Sequence, residues 1–171
     1  MKATQLLAHQ HRKVEALFKR LKHGRSDPHA VLEELADSLA AHMAIEQEIF
    51  YPRVKEAASD LVNESFEEHA LAELGLKRLL ATSSDAESFE ARVSVLEELI
   101  HHHVEEEEQE LFPKVEKALE EEELNQLGKT MKARFEEVLK GGFAAAVPKT
   151  MAKTSADAAK KRHPKRVPSA A

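Results

Sequence analysis

Two stretches of this sequence can be laid over each other, HMAIEQEIFYP at residues 42–52 and HVEEEEQELFP at residues 103–113. Each starts with His, carries Glu four residues later, and ends in an aromatic residue followed by Pro. Residues four apart lie on one face of an α-helix, one turn from each other. The repeat therefore predicts two helices that each present a His and a Glu on a single face. These four residues are His42, Glu46, His103 and Glu107.

The rest of the chain also reads as helical. It has only five Gly, many Ala, Leu, Glu and Lys residues, and no alternating β-branched runs. Apolar residues recur at helical spacing in five segments, at about 4–23, 28–58, 59–81, 86–115 and 121–140. Four long helices with short loops predict an all-α, up-down-up-down antiparallel four-helix bundle, followed by a short fifth helix. Pro52 and Pro113 are expected to kink or thin the helices that contain them.

Helical spacing also indicates which His residues face the interior. His42 lies three residues from apolar neighbours on both sides, and His103 follows Ile100 by three residues. The first and third helices each supply one further inward His, His11 and His69. The chain is thus a two-fold repeat in which a helix with one His precedes a helix with His and Glu.

Carboxylates in a bundle interior need a partner. A buried, unpaired carboxylate costs several kcal/mol, and no Lys or Arg occupies the inward positions beside Glu46 or Glu107. A pair of divalent or trivalent metal ions would resolve this, because each Glu could bridge the two ions. Imidazole and carboxylate ligands without sulfur suit non-haem iron best, then manganese, with zinc as a further candidate. The alternative is a set of surface His residues beside solvated acids.

Composition excludes several other kinds of site. The chain has 171 residues, ten His and no Cys, so disulfides, thiolate nucleophiles, zinc fingers and Cys-ligated iron–sulfur clusters are absent. No apolar run approaches the ~18 residues of a membrane-spanning helix, and the N-terminus lacks an apolar stretch of signal-peptide length. A cytoplasmic protein is the expectation.

The net charge of −6 averages two unlike regions. Residues 149–171 carry seven Lys or Arg and one acid, a charge of +6, whereas the preceding residues carry −12. We expect a disordered basic tail over 141–171, after a bundle domain over 1–140, because the tail has almost no large apolar residues. The tail either shields the acidic body or contacts nucleic acid or another acidic surface.

The combined pattern resembles the hemerythrin-like (HHE cation-binding) family over about residues 1–140. The FYP and LFP that follow the two His and Glu strings, QHRKVEALF at 10–18 and EHA at 68–70 carry the resemblance. It implies a four-helix bundle that holds two non-haem iron ions with an oxo or hydroxo bridge, Glu46 and Glu107 being the bridging carboxylates. The implied ligands are His11, His42, Glu46, His69, His103 and Glu107.

The sequence departs from the oxygen-carrying hemerythrins at two positions. They have a second His four residues after the third-helix His, where this chain has Glu73, and an Asp in the fourth-helix motif, where it has Glu107. Oxygen donors favour the ferric state, which argues against simple reversible oxygen carriage. Glu73 is either a further metal ligand or hydrogen-bond acceptor at the site, or the ion-pair partner of Lys77. Tyr51 either packs in the core or donates a hydrogen bond near the site.

The expected function is binding or reduction of a small oxidant, such as dioxygen, peroxide or nitric oxide. The alternative is an iron or oxygen sensor, or an iron-sequestering protein, that acts without turnover. A metal-free helical interaction module is the remaining reading. Whether the protein is an enzyme is left open by the sequence.

Overall fold

The structure, a computed structural model, describes residues 1–148, and all regular structure in this range is helical. It confirms the predicted all-α bundle. The helices are α1 (Ala3–His23), α2 (Pro28–Ile45), α3 (Tyr51–Val54), α4 (Ser59–Leu80), α5 (Phe89–Glu106), α6 (Phe112–Ala118), α7 (Glu121–Gly141) and α8 (Phe143–Ala146). Single π-helical turns, Glu46–Phe50 and Glu107–Leu111, join α2 to α3 and α5 to α6.

The two π turns lie at corresponding positions of the sequence repeat. Each π turn begins at the Glu of its repeat and ends two residues before the Pro, which is Pro52 in the first repeat and Pro113 in the second. The wider turn closes with a bond from the Tyr51 N–H to the Glu46 carbonyl, and the second repeat has the same bond. Pro has no N–H and clashes with the α-helical turn before it, so a wider turn accommodates it. The predicted disturbance is therefore a local π turn at the Glu itself.

Helix boundaries follow from local sequence. The Asp27 carboxylate accepts a hydrogen bond of 3.1 Å from the His29 N–H, and Pro28 occupies the first helical position, where its missing N–H has no cost. Helix α3 ends at Val54, earlier than the predicted end near residue 58. Residues 55–58 form a short connection before α4, which keeps α2 and α4 adjacent and antiparallel.

The core consists of two apolar clusters with a polar layer between them. One cluster includes Leu7 and Ile45, and the other includes Val14 and Leu39. His11 lies between Leu7 and Val14 along α1, so the chain itself passes from one cluster to the other at that His. Apolar packing above and below thus isolates the polar side chains from water and holds the four helices around them.

The C-terminal helices cover one side of the bundle. Helix α7 is the fifth helix that was predicted over about 121–140, and it packs against α1 and α2. Beyond residue 140, where the tail was expected to begin, the described chain continues along the bundle to residue 148. Helix α8 packs on α2, Val147 is buried, and Asp37 Oδ1 accepts a hydrogen bond of 2.7 Å from the Phe143 N–H. The remainder of the predicted tail, residues 149–171, lies outside the described residues.

Candidate metal centre

Four imidazoles and two carboxylates meet in the polar layer of the bundle. One His comes from each of α1, α2, α4 and α5, and the two Glu residues start the two π turns. All six residues are at most 3% exposed. They are the predicted residues His11, His42, Glu46, His69, His103 and Glu107.

The imidazoles form two pairs. The Nε2 atoms of His11 and His42 lie 3.2 Å apart, and those of His69 and His103 lie 3.1 Å apart. Potential ligand atoms of the first pair lie within 4.8 Å of both carboxylates, and those of the second pair lie equally close to Glu46. The arrangement therefore provides two adjacent groups of donors that share a carboxylate.

Each carboxylate lies between the two pairs. Glu46 Oε2 is 3.2 Å from His42 Nε2 and 3.3 Å from His69 Nε2. Glu107 Oε2 is 3.4 Å from the Nε2 of His11 and 3.9 Å from that of His103. The two-fold repeat of the sequence thus becomes an approximate two-fold arrangement of donors in space.

The outer nitrogen of every imidazole has a partner, which aims the inner nitrogen at the centre. The Nδ1 atoms lie 2.7–3.0 Å from polar side chains of the neighbouring helices. The partners are Glu108 for His11, Gln10 for His42, Gln47 for His69 and Glu68 for His103. Such contacts hold metal-binding imidazoles in one tautomer and orientation.

These four partners were not predicted from the sequence, although a signal for them exists there. Gln10 and Glu68 each precede an inward His by one residue, and Gln47 and Glu108 each follow an inward Glu by one residue. A neighbour in sequence is turned about 100° around the helix, so it points across to the adjacent helix and not at the centre. The repeat therefore extends to the residues that orient the imidazoles.

These contacts show that the donors fit a cation. When the Nδ1–H groups of His11 and His42 donate to these carboxylate and amide oxygens, the Nε2 lone pair of each ring points inward. The two lone pairs face each other at 3.2 Å. Both oxygens of Glu46 and Oε2 of Glu107 are buried without a hydrogen-bond partner among the described residues. A positive ion among these atoms would satisfy all of them at once.

The electrostatics of the site favour the same conclusion. Burial lowers the pKa of His42 and of His69 well below the ordinary value, and the neighbouring imidazole adds to each effect. Burial and the charge of Glu107 raise the pKa of Glu46 well above its ordinary value. Burial alone would raise the pKa of Glu107, but His103 and His11 outweigh it and lower that pKa. Two neutral imidazoles and two crowded carboxylates form a set that a cation would stabilise.

Comparison with known proteins agrees with this geometry. The family model described as the hemerythrin HHE cation-binding domain matches residues 2–115. The chain belongs to this family. A hemerythrin HHE cation-binding domain-containing protein from Mycobacterium kansasii has a similar crystal structure, with a TM-score of 0.74 and 26% sequence identity. The match covers 82% of this chain and 89% of that one.

A curated relative is a protein of Nostoc sp. strain PCC 7120 named DNA nickase. It is 31% identical over 127 residues, which is 72% of this chain. The chain spans only 36% of the length of the Nostoc protein, so most of that protein has no counterpart here.

Glu73 is not among the gathered residues. Its carboxylate is buried, and its Oε1 lies 2.7 Å from the Nζ of Lys77, one turn along α4. The structure thus has the ion pair that was the alternative to metal ligation for this residue. The ammonium group of Lys77 therefore balances the charge of this buried carboxylate.

Tyr51 is part of the site as well as of the core. Its hydroxyl donates a hydrogen bond of 2.9 Å to Glu107 Oε1 and lies 3.3 Å from His69 Nε2. Burial raises the pKa of the Tyr51 phenol, and the charges of Glu107 and Glu46 raise it further. The phenol therefore keeps its proton and holds the Glu107 carboxylate in position.

The three successive His residues of α5 separate as helix geometry requires. His103 is 3% exposed, whereas the side chains of His101 and His102 are 64% and 61% exposed. Among the described residues, no helix has the length and apolar character that crossing a membrane requires.

Proposed function

We propose that this chain is a non-haem di-iron protein that binds or reduces a small oxidant such as dioxygen, peroxide or nitric oxide. The observation that carries the proposal is the two pairs of buried imidazoles with two carboxylates between them. Three of the four carboxylate oxygens have no hydrogen-bond partner among the described residues. Nitrogen and oxygen donors without sulfur are the ligands of non-haem iron and manganese centres. Iron at this position would supply the redox chemistry.

The geometry favours a particular distribution of ligands. His11 and His42 would hold one ion, and His69 and His103 the other, because each pair has its Nε2 atoms within 3.2 Å of each other. Glu46 and Glu107 would bridge the ions, since each carboxylate contacts one imidazole of each pair. The negative charges of the bridging carboxylates would offset the positive charges of the two ions in an interior that excludes water.

A small cavity beside the imidazoles supports a small ligand. It has a volume of about 10 Å³ and is lined by all four ligand His residues together with Val14, Leu39, Met43, Ile100 and Val104. This is about the room that one water-sized molecule needs. A space of this size favours a very small ligand, whereas an organic substrate would require the packed apolar wall to open.

An outer groove leads towards this cavity. A depression of about 550 Å³ lies between α1 and α5, and it shares His11, Val14, Ile100 and Val104 with the cavity. Val14, Ile100 and Val104 are each less than 9% exposed and separate the groove from the cavity. An oxidant would enter by displacing these apolar side chains, and bulk water would be kept out when they close.

The side chains around the centre have separate tasks in this proposal. The Nδ1 partners fix the orientation of the imidazoles. The Tyr51 hydroxyl, whose pKa is raised, keeps its proton and donates it in a hydrogen bond to Glu107 Oε1. The same hydroxyl lies 3.3 Å from His69 Nε2, where its oxygen can accept a hydrogen bond from a protonated ligand.

The test combines metal analysis with an activity assay on the same sample. After reconstitution with ferrous iron, about two ions per chain and rapid loss of added peroxide are expected. His103→Ala should lose the bound iron, whereas the exposed His101→Ala should keep it, because only His103 faces the centre. Equal iron loss in both variants, or no iron in the wild type, would contradict the proposal.

A second candidate function is an iron or oxygen sensor, or an iron-sequestering protein, with the tail as its contact to a partner. Two observations favour nucleic acid as that partner: the charge of +6 on residues 149–171, and the DNA nickase name of the Nostoc relative. Duplex DNA binding that weakens steeply between 50 and 200 mM salt, as counterion release requires, would support it. K160Q/K161Q/R162Q should then bind less DNA while keeping its iron. Peroxide turnover by the wild type without any DNA binding would exclude this candidate.

A further inference from the structure

A second group of potential metal ligands lies at the surface, one side chain away from the buried centre. His102 and Glu106 are one turn apart on α5, and Glu68 faces them from α4. The atoms available for ligation on these three residues all lie within 4.8 Å of one another. We propose that Glu68, His102 and Glu106 form a third cation site that takes one divalent ion such as Zn²⁺.

The distances suit a single ion. His102 Nε2 lies 3.7 Å from Glu68 Oε1 and 3.6 Å from Glu106 Oε1. Two ligands of a tetrahedral ion, each at ~2.1 Å, lie about 3.4 Å from each other. Adjustments of a few tenths of an ångström would bring both His102 contacts to this spacing, and the exposed side of His102 leaves room for water as a further ligand.

Glu68 distinguishes this group from an ordinary surface cluster. Its side chain is only 10% exposed, and its Oε2 accepts a hydrogen bond of 2.7 Å from His103 Nδ1. That bond holds the carboxylate in place and leaves Oε1 directed at His102. One ligand of the surface site is thus pre-positioned by an imidazole of the buried centre, which reduces the entropy lost when an ion binds.

The charge around the group also favours a cation. Among residues 1–148, no Lys or Arg lies within ion-pair distance of Glu68 or Glu106. The negative charges of Glu64 and Glu110 also act on Glu106. The two carboxylates are therefore faced only by the imidazoles of His102 and His103, and a divalent ion would add positive charge between them.

The neighbouring turn of α5 provides a matched control. His101 and Glu105 are also four residues apart, and His101 Nε2 lies 3.6 Å from Glu105 Oε1, the same distance as in the His102 pair. Both His residues are more than 60% exposed. No buried carboxylate completes the His101 pair into a group of three within the described part of the chain. The two pairs differ in the contribution of Glu68.

The experiment counts bound Zn²⁺ per chain by equilibrium dialysis and elemental analysis. At a Zn²⁺ concentration that just saturates the wild type, His102→Ala and Glu106→Gln should each bind one ion fewer. At higher Zn²⁺ concentrations, any ion that returns to this site should bind with an affinity at least about tenfold lower. His101→Ala and Glu105→Gln should bind the same number as the wild type. Circular dichroism checks that all four variants, which change exposed or half-buried positions, remain helical.

The outcomes separate this site from the buried one. If replacing His101 lowers the count as much as replacing His102, the ions bind single surface imidazoles and the proposal is overturned. Equal counts in all five proteins overturn it as well. If the buried centre takes fewer than two ions, the totals fall together, but the difference of one ion between the His101 and His102 variants remains.

Discussion

Glu46→Gln should change the stability of the protein in opposite directions with and without metal. The Glu46 carboxylate is fully buried, and neither oxygen has a hydrogen-bond partner among the described residues. Leaving a buried polar group unsatisfied costs about 1–3 kcal/mol. The amide of Gln removes the charge, and its N–H groups can donate to the Nε2 atoms of His42 and His69, which lie 3.2 and 3.3 Å from Glu46 Oε2.

In the presence of a chelator, the variant should therefore melt about 2–12 °C above the wild type, since 1 kcal/mol corresponds to about 2–4 °C at this chain length. Iron should reverse the order. Two ions at 100 times their dissociation constants would stabilise the wild type by about 2.7 kcal/mol each. Glu46→Gln loses a carboxylate that contacts both imidazole pairs, so its melting temperature should hardly respond to iron.

The pH dependence supplies an internal check. Because the folded pKa of Glu46 is raised above its ordinary value of 4.5, the folded chain binds more protons than the unfolded one between those two pKa values. The cost of burying Glu46 is therefore present at pH 7.5 and falls as the pH approaches 4.5. The advantage of the metal-free variant should shrink between pH 7.5 and pH 5.

The measurement is thermal denaturation followed by far-ultraviolet circular dichroism, with iron content determined on the same samples. Glu105→Gln is the control, because Glu105 is on the exposed face of α5 and its substitution should change stability by less than about 0.5 kcal/mol. A metal-free Glu46→Gln protein that melts below this control would refute the reasoning. So would retention of wild-type iron content.

Three further predictions concern the surroundings of the site. Tyr51→Phe should lower the free energy of unfolding by about 1–3 kcal/mol in urea denaturation, because it leaves a buried carboxylate oxygen without its 2.9 Å hydrogen bond. The variant should keep both ions, and loss of the ions would show that Tyr51 holds the metal more directly. In the chelated protein, nuclear magnetic resonance titration should find His42 and His69 neutral well below pH 6.5, because burial lowers their pKa values. His103 should still be protonated above pH 6.5, because the neighbouring carboxylates outweigh burial and raise its pKa. The reverse order would contradict the assigned environments. Gly142→Ala should cost about 1–3 kcal/mol of stability, because its φ of 69° and ψ of 175° are accessible essentially to Gly alone, and an unchanged melting temperature would argue against this backbone conformation.

The bundle and six residues of its centre are readable from the chain because both follow from local periodicity. His42 with Glu46, and His103 with Glu107, share a helix face at a spacing of four, and this spacing holds in any α-helix. The Pro residues marked the positions of the two π turns, although a general rule about Pro predicts only a disturbance. It does not specify that the turn widens at the Glu itself.

Glu73 and Lys77 show where helix periodicity stops being sufficient. The spacing of four allowed both an inward ligand and an ion pair, and only the packing of α4 against its neighbours places the carboxylate next to Lys77 Nζ and apart from the gathered donors. The partner of each imidazole Nδ1 is a similar case. Gln10, Gln47 and Glu68 are ordinary polar residues in the sequence, and each acquires its role from a different helix.

The sequence by itself determined the helical class, the inward His and Glu residues and their two-fold repeat, because these depend on contacts between residues close along one helix. Tertiary structure alone decided the facing of the Nε2 atoms, the position of each carboxylate between two imidazole pairs, and the choice of His102 over His101 as a neighbour of Glu68. These features depend on the rotation of one helix against the next. A rotation of that kind is set by the packing of both apolar clusters together, and no single stretch of sequence contains it.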